Sequence, residues 1–348
     1  MFVVRQARSE DLDALMGLAA QTGTGMTTFP ENEAVLTKKI EDSITAFSSD
    51  PEDLKSEKTG YLLVLEDLEK DKLVGTSAII TGIGLDKPFY SYRLLHQTQV
   101  SQEPVMRVDT ELLNLSNDFV GASEIATLFL HPDYRIGQLG KMLAKARYLL
   151  IASHPERFAD KMIAEIRGWV DDQEISPFWE AIGRQFFCMD FNEADEINGV
   201  GNSQFIADLM PKFPIYTALL PQKARDIIGK AHDSAAPAKR LLEKEGFHFS
   251  GAVDIFDGGP TMEAHKWSIW SVRSSVKDKL GGIVEGNSHD PKHLIAKTNI
   301  DDFRVAMTNV VETSSGLWVP SDVADALQVK NGDDMRYVPI ERPKNENT

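Results

Sequence analysis

The chain opens on an apolar run of strand character and changes within ten positions to a helical period. Residues 2 to 7 predict a strand, and 10 to 20 a helix capped by Ser9, with Leu12, Leu15, Met16 and Ala19 on one face. A second helix is predicted over 31 to 47, where Leu36, Ile40, Ile44 and Phe47 share a face, and SSDPEDLKSEK from Ser48 reads as a polar loop. Between Tyr61 and Gly84 two apolar runs flank a charged turn, the pattern of an antiparallel pair. KMIAEIRG, Lys161 to Gly168, predicts a further strand, Ser176 caps a helix with Pro177 in its first turn, and Arg184 to Phe191 reads as a strand closing the sheet. Pro237 to Phe247 predicts a helix and His248 to Phe256 a strand. WSIWSVRSS, HLIAKTN, FRVAMTNVVE and MRYVPI follow as short strand-like runs joined by turns such as Asn331-Gly332. The fold class is mixed α/β, with a C-terminal β-rich segment.

The stretch from Gly121 to Leu150 carries the first chemical signal. A buried strand runs into a turn holding Arg135, Gly137 and Gly140, and then into a helix whose Leu139, Met142, Leu143, Ala146 and Leu150 form one apolar stripe. The first N–H groups of a helix lack intrahelical partners and sit at its positive end, so this order can seat a pyrophosphate. An ordinary strand-to-helix connection explains the glycines equally well at this point.

Length and charge narrow the classes. At 348 residues the chain suggests two domains or a little more, at ~150 residues each. A formal charge of −16, from 37 basic and 53 acidic side chains, counts against nucleic acid as a partner and tolerates a cationic substrate. The single cysteine, Cys188, allows no internal disulfide and fits a reducing compartment. It lies in RQFFCMDF and reads as a buried thiol on a strand rather than a nucleophile. No export signal and no run of ~20 apolar residues is visible, so a cytoplasmic protein without membrane contact is expected. His131 and His154 precede prolines and read as turn residues, and no H-E-x-x-H or paired Cys and His spacing suggests a metal.

Six ordered blocks carry a resemblance: GMTTFPENEA (Gly25 to Ala34), SEIATLFLHPDYR (Ser123 to Arg135), AEIRG (Ala164 to Gly168), SPFWEAIGRQFF (Ser176 to Phe187), FIADLMPKFPIY (Phe205 to Tyr216) and LLEKEGFHFSGAVDIFDGGPTMEA (Leu241 to Ala264). The chain resembles the arginine N-succinyltransferases, within the GNAT N-acyltransferase superfamily. One departure is visible: the superfamily pattern places its first glycine at 138, where this chain has Gln138 and offers Gly137 one place early.

The resemblance implies a GNAT-like fold, tandem or duplicated, because PFWEAIGRQFF and PAKRLLEKEGF both look like the helix that precedes a domain-ending strand. It divides the chain into an acyl-CoA-binding domain over 1–198, a second half over 199–265 and a β-rich completion over 266–348. The implied reaction moves succinyl from succinyl-CoA to the α-amine of L-arginine by direct attack, with succinyl-CoA as co-substrate and no tightly bound cofactor. The strand before the glycine turn would hold the pantetheine arm and polarise the thioester through Thr127, Leu128, Phe129 and Leu130, although Leu128 also reads as a core leucine. Arg135, Gly137 and Gly140 would take the phosphates.

By the same resemblance His232 protonates the departing thiolate, a role that suits an imidazole. A guanidinium prefers a planar carboxylate, which nominates Glu33, Glu124, Asp254 and Asp257, while Arg167 or Arg135 would meet carboxylates of the substrates. An ion pair of purely structural purpose explains any of these as well. Two other readings stay open: a succinyltransferase for ornithine or another basic amino acid, and a CoA-responsive or non-catalytic subunit. A homo- or hetero-oligomer fits either.

Overall fold

The computed structural model describes residues 1–22, 26, 28–54, 57–191, 193, 194, 197 and 204–343. Gly25 and Thr27 of the first family block, and the boundary expected at 198, lie outside them.

A single run of sixteen hydrogen-bonded strands forms the frame, in the order β14-β15-β11-β16-β12-β13-β1-β2-β3-β6-β7-β10-β9-β4-β5-β8. The central members are β1 (Phe2–Gln6), β2 (Thr59–Asp67), β3 (Lys72–Thr81), β6 (Ser123–Leu130) and β7 (Lys161–Glu165). On one side β10 (Pro260–His265), β9 (His248–Asp254), the hairpin β4 (Ser91–Gln102) and β5 (Val105–Ser116), and β8 (Ile215–Tyr216) continue the sheet. On the other lie β13 (Arg304–Thr308), β12 (His293–Lys297), β16 (Asp334–Pro339), β11 (Val276–Val284), β15 (Gly316–Pro320) and β14 (Val311–Thr313). Strands from 199–265 therefore extend the same sheet beyond β7 instead of building a separate one. All pairings are antiparallel except β6 with β7 and β11 with β15.

Side-chain alternation assigns the two faces. Helix α3 (Leu139–Ser153) covers one face, where Met142, Leu143, Ala146 and Leu150 pack with Ile125, Met162, Ala164, Met262 and Ala264. Helices α1 (Leu12–Ala19) and α2 (Glu33–Ser48) cover the other, with Leu15, Leu18, Leu36 and Ile40 against Leu62, Val64, Ala78 and Phe129. Each fully buried leucine of this kind contributes roughly 1.5–3 kcal/mol.

Several local expectations need correction. Ser9 does not cap α1; it starts a 3-10 turn, Ser9–Asp11, closed by the Arg8 N–H donating to the Asp11 carboxylate at 2.8 Å. Ile44 is exposed, leaving Leu36, Ile40 and Phe47 as the apolar face of α2. Arg184 to Phe191 is no strand. Helices α4 (Pro177–Ala181, capped by Ser176 as expected) and α5 (Gly183–Phe187) abut there, and the Trp179 and Phe187 rings stack at 5.4 Å. Only glycine permits that join, since a Cβ on Gly183 would lie 2.1 Å from the Trp179 ring. Cys188 ends α5 with φ 55° and is exposed, not a buried strand thiol. The helix-then-strand pattern holds only for the second motif, where helix Ala236–Glu245 leads into β9. WSIWSVRSS is also helical, a 3-10 turn at Lys266–Ser268 followed by helix Trp270–Arg273.

Candidate active site

The two parallel strands at the centre part company. β6 and β7 pair only at Ser123 with Met162 and Glu124 with Ile163, so among the described residues β6 from Ile125 onward has no partner strand on that side. Opposite, the β3 register shifts between Thr76 and Ala78, so that Ser77 faces both Thr127 and Leu128. This bulge sets Thr127 at φ 53°, a left-handed conformation that costs a β-branched residue about 1–3 kcal/mol. The extra residue resets the alternation: Leu128 and Leu130 pack toward α3 while Phe129 packs toward α1 and α2. The result is a wedge open at the carboxyl ends of β6 and β7, with bulged backbone along one wall.

Helix α3 begins at that opening. Gln138 stands at its N-cap position without a side-chain cap and no acid lies in its first turn, so the leading amides face an electropositive opening. The left-handed turn falls on Gly137, φ 57°, which accommodates Gln138 in place of glycine. A Cβ on Gly140 would meet only Leu130, at 3.8 Å, leaving its approach clear. Arg135 is exposed beside it, its Nε donating to the Leu130 carbonyl at 3.0 Å.

His232 reaches the same opening from the other wall. Ala231 bridges to Gly168, and the His232 backbone N–H donates to the Arg167 carbonyl at 2.8 Å, just past the end of β7. Ala231 and Ala235 pack against the cluster that also takes Leu128 and Leu130. The ring is half-buried; its Nδ1 accepts the Ser234 N–H at 3.2 Å and lies 2.7 Å from the Ser234 hydroxyl. Occupation of Nδ1 as an acceptor leaves the neutral ring with its proton on Nε2.

Below the wedge, on the face away from α3, four carboxylates gather: Glu124, Glu165, Asp254 and Asp257. Asp257 is held by the N–H groups of Gly168 at 2.6 Å and Gly259 at 2.7 Å, and Asp254 by those of Phe256 at 2.7 Å and Asp257 at 2.9 Å. Burial raises all four above the ordinary carboxylate range, and the charges of Asp254, Glu124 and Asp257 push Glu165 well up. Lys58 and Lys39 lie near Glu124 and pull it back. Among the described residues, no three acids, histidines or cysteines are placed to hold a metal ion.

Residues 2–271 match the family model described as arginine N-succinyltransferase beta subunit, and 275–339 that of its C-terminal domain. The chain belongs to the arginine N-succinyltransferase family. Arginine N-succinyltransferases of Escherichia coli (strain 55989) and of Shigella dysenteriae serotype 1 are each 41% identical to it over 341 residues, covering 97% of both chains. The solved structure of arginine/ornithine succinyltransferase subunit AI from Pseudomonas aeruginosa is 31% identical, covers 98% of this chain and 99% of its own, and superposes with a TM-score of 0.87.

Within this arginine N-succinyltransferase family member, the wedge unites Thr127, Leu128, Phe129, Leu130, Arg135, Gly137, Gly140 and His232. Glu124, Asp254 and Asp257 lie together below it. Glu33 does not join them: it is exposed at the first turn of α2, and the neighbouring Thr28 contributes instead, its carbonyl accepting the Thr127 hydroxyl at 3.3 Å. Arg167 pairs with Glu174.

Two participants escaped sequence reasoning. Glu165 lies at the end of β7, and only the pairing of β7 with β10, and of β10 with β9, brings it to the aspartates. Arg147 lies within the apolar run of α3, yet is 2% exposed and carries no carboxylate partner among the described residues; its Nη1 donates to the bulge carbonyl of Ala126 at 3.0 Å and its Nε to Ala144 at 3.1 Å. An arginine inside an apolar helical stripe was the one available signal.

Proposed function

We propose that the protein transfers the succinyl group of succinyl-CoA to the α-amine of L-arginine in the cytoplasm, using a GNAT-like arrangement. The observation that carries this reading is the coincidence at one sheet end of a parted parallel pair, an uncapped fifteen-residue helix N-terminus and His232. Succinyl-CoA enters as co-substrate. Its phosphates meet the amides of Gly137 to Gly140 and Arg135, and its pantetheine arm takes the place of the missing β7 partner along Thr127 to Leu130. Main-chain N–H groups beside Leu128 polarise the thioester oxygen.

The neutral α-amine attacks the thioester carbon, the new C–N bond forms as the C–S bond breaks, the imidazolium form of His232 gives its Nε2 proton to the departing thiolate, and the proton shed by the nitrogen as it becomes an amide returns to the neutral ring. The carboxylates Glu124, Asp254 and Asp257 receive the cationic acceptor, with Arg167 toward its carboxylate. Cys188, exposed at the end of α5, has no place in this sequence. Residues 1–198 contribute the acyl-CoA wall and 199–265 the histidine wall, in a tandem order that 266–348 completes. The purified chain should release CoA from succinyl-CoA only when L-arginine is present, with a succinylated amino acid as the second product. Release at the same rate without an amine, or none with arginine or ornithine, refutes the reading.

A further inference from the structure

The carboxylates below the wedge are unequal. Glu124 faces Lys39 and Lys58, whereas Glu165, Asp254 and Asp257 form no ion pair with any lysine or arginine among the described residues. Three acids placed together without a cation repel one another, and a fold keeps such an arrangement only at a cost in stability.

Register shows where they point. Thr261 of β10 stands opposite Glu165 on one side and Ala252 on the other, and Asp254, two residues from Ala252, stands opposite Ser91. Cross-strand partners and residues two apart share a sheet face, so Glu165, Thr261, Ala252, Asp254 and Ser91 line one surface. Between β7 and β9 that surface spans about 10 Å, with the small Thr261 at its middle and Ala252, packed with Ile83, Phe119 and Ile163, beside it. Thr261 Oγ1 and Ser91 Oγ are both fully buried there, and neither has a hydrogen-bond partner among the described residues. Buried hydroxyls normally find partners. Hydroxyls and carboxylates without an ion pair make a lining of acceptors suited to a donor-rich cation.

We propose that Glu165, acting with Asp254 and Asp257 and flanked by the Ser91 and Thr261 hydroxyls, is the specificity-determining residue that reads the guanidinium of the acceptor. This rests on the acyl-transfer reading above. A guanidinium offers five N–H donors in one plane and no acceptor, the complement of this lining. Glu165 lies two residues before Arg167, whose carbonyl holds the His232 backbone, so the distal cation is held with the α-amine directed toward the thioester.

The test is calorimetry on the full chain with L-arginine and with L-citrulline, whose ureido group keeps the shape and drops the charge. Wild type should bind arginine at least about ten-fold tighter than citrulline. Glu165→Gln should weaken arginine by about 10- to 100-fold, the loss expected for a charged hydrogen-bonded partner, and close most of the gap to citrulline while CoA affinity holds within about two-fold. Glu165→Asp should recover part of the loss. If Glu165→Gln lost CoA binding as well, Asp254→Asn, outside the His232 wall, would decide by the same two readouts. Unchanged arginine affinity, or an undiminished preference over citrulline, overturns the inference. A wild type that binds arginine through Glu165 but transfers no succinyl group would sink the functional reading and leave the subsite standing.

Discussion

Gly140→Val separates the anion seat from the fold that carries it. The added Cβ meets only Leu130, at the ordinary contact distance of 3.8 Å, and Gly140 has no special backbone angle. Valine is also a slightly better helix former than glycine, by about 0.3 kcal/mol, so stability should change by less than about 0.5 kcal/mol. The ligand side differs. A branched side chain at the second position of α3 stands in front of its leading amides and holds a phosphate out of hydrogen-bond reach. Losing one or two hydrogen bonds to a charged group, at about 1.5–3 kcal/mol each, predicts a CoA affinity lower by about 10-fold to more than 100-fold. Titration calorimetry with CoA, alongside a thermal melt, measures both quantities. CoA affinity within about three-fold of wild type, with the melt unchanged, would refute the assignment of the phosphates to this helix. Gly137→Ala is the contrasting case, because φ 57° makes any side chain cost about 1–2 kcal/mol of stability although nothing lies within 4 Å.

Three further outcomes are expected. His232→Ala should reduce turnover by about 10²- to 10⁴-fold with CoA binding intact, and nearly full turnover across neutral pH would assign thiolate protonation elsewhere. Arg147→Met should leave the melting temperature within a few degrees, since an unpaired buried charge is removed with its desolvation cost, yet raise KM for succinyl-CoA about ten-fold as Ala126 loses its donor; an unchanged KM would make Arg147 purely structural. The raised carboxyls make the unfolded chain lose these protons first, so their stabilising contribution is complete below about pH 4 and falls as pH rises through their folded values. The gain in melting temperature from Glu165→Gln should therefore be larger at pH 8 than at pH 5, and L-arginine should protect wild type more at pH 8; equal gains would show that Glu165 is not held protonated by its neighbours.

Local pattern was enough wherever a segment's own period decided its state. The antiparallel pair β2 and β3, the strand β6, the apolar stripe of α3, the Ser176 cap and the helix leading into β9 all follow from residues within one element, because burial of one face requires that spacing. The family resemblance likewise nominated Leu128, His232 and the glycine turn. Pattern failed where packing between elements overrode it. RQFF alternates like a strand yet coils because Gly183 lets Trp179 stack on Phe187, and Cys188 is turned outward as a result. The parting of β6 from β7, the bulge at Thr127 and the arrival of Arg147 behind it depend on which strands become neighbours. Glu165, Asp254, Ser91 and Thr261 span some 170 residues of chain, and only the order β7-β10-β9-β4 puts them on one face. Sequence could nominate acids for a cation; deciding that Glu165 belongs among them and Glu33 does not required the sheet, because charge interaction depends on separation in space and not along the chain.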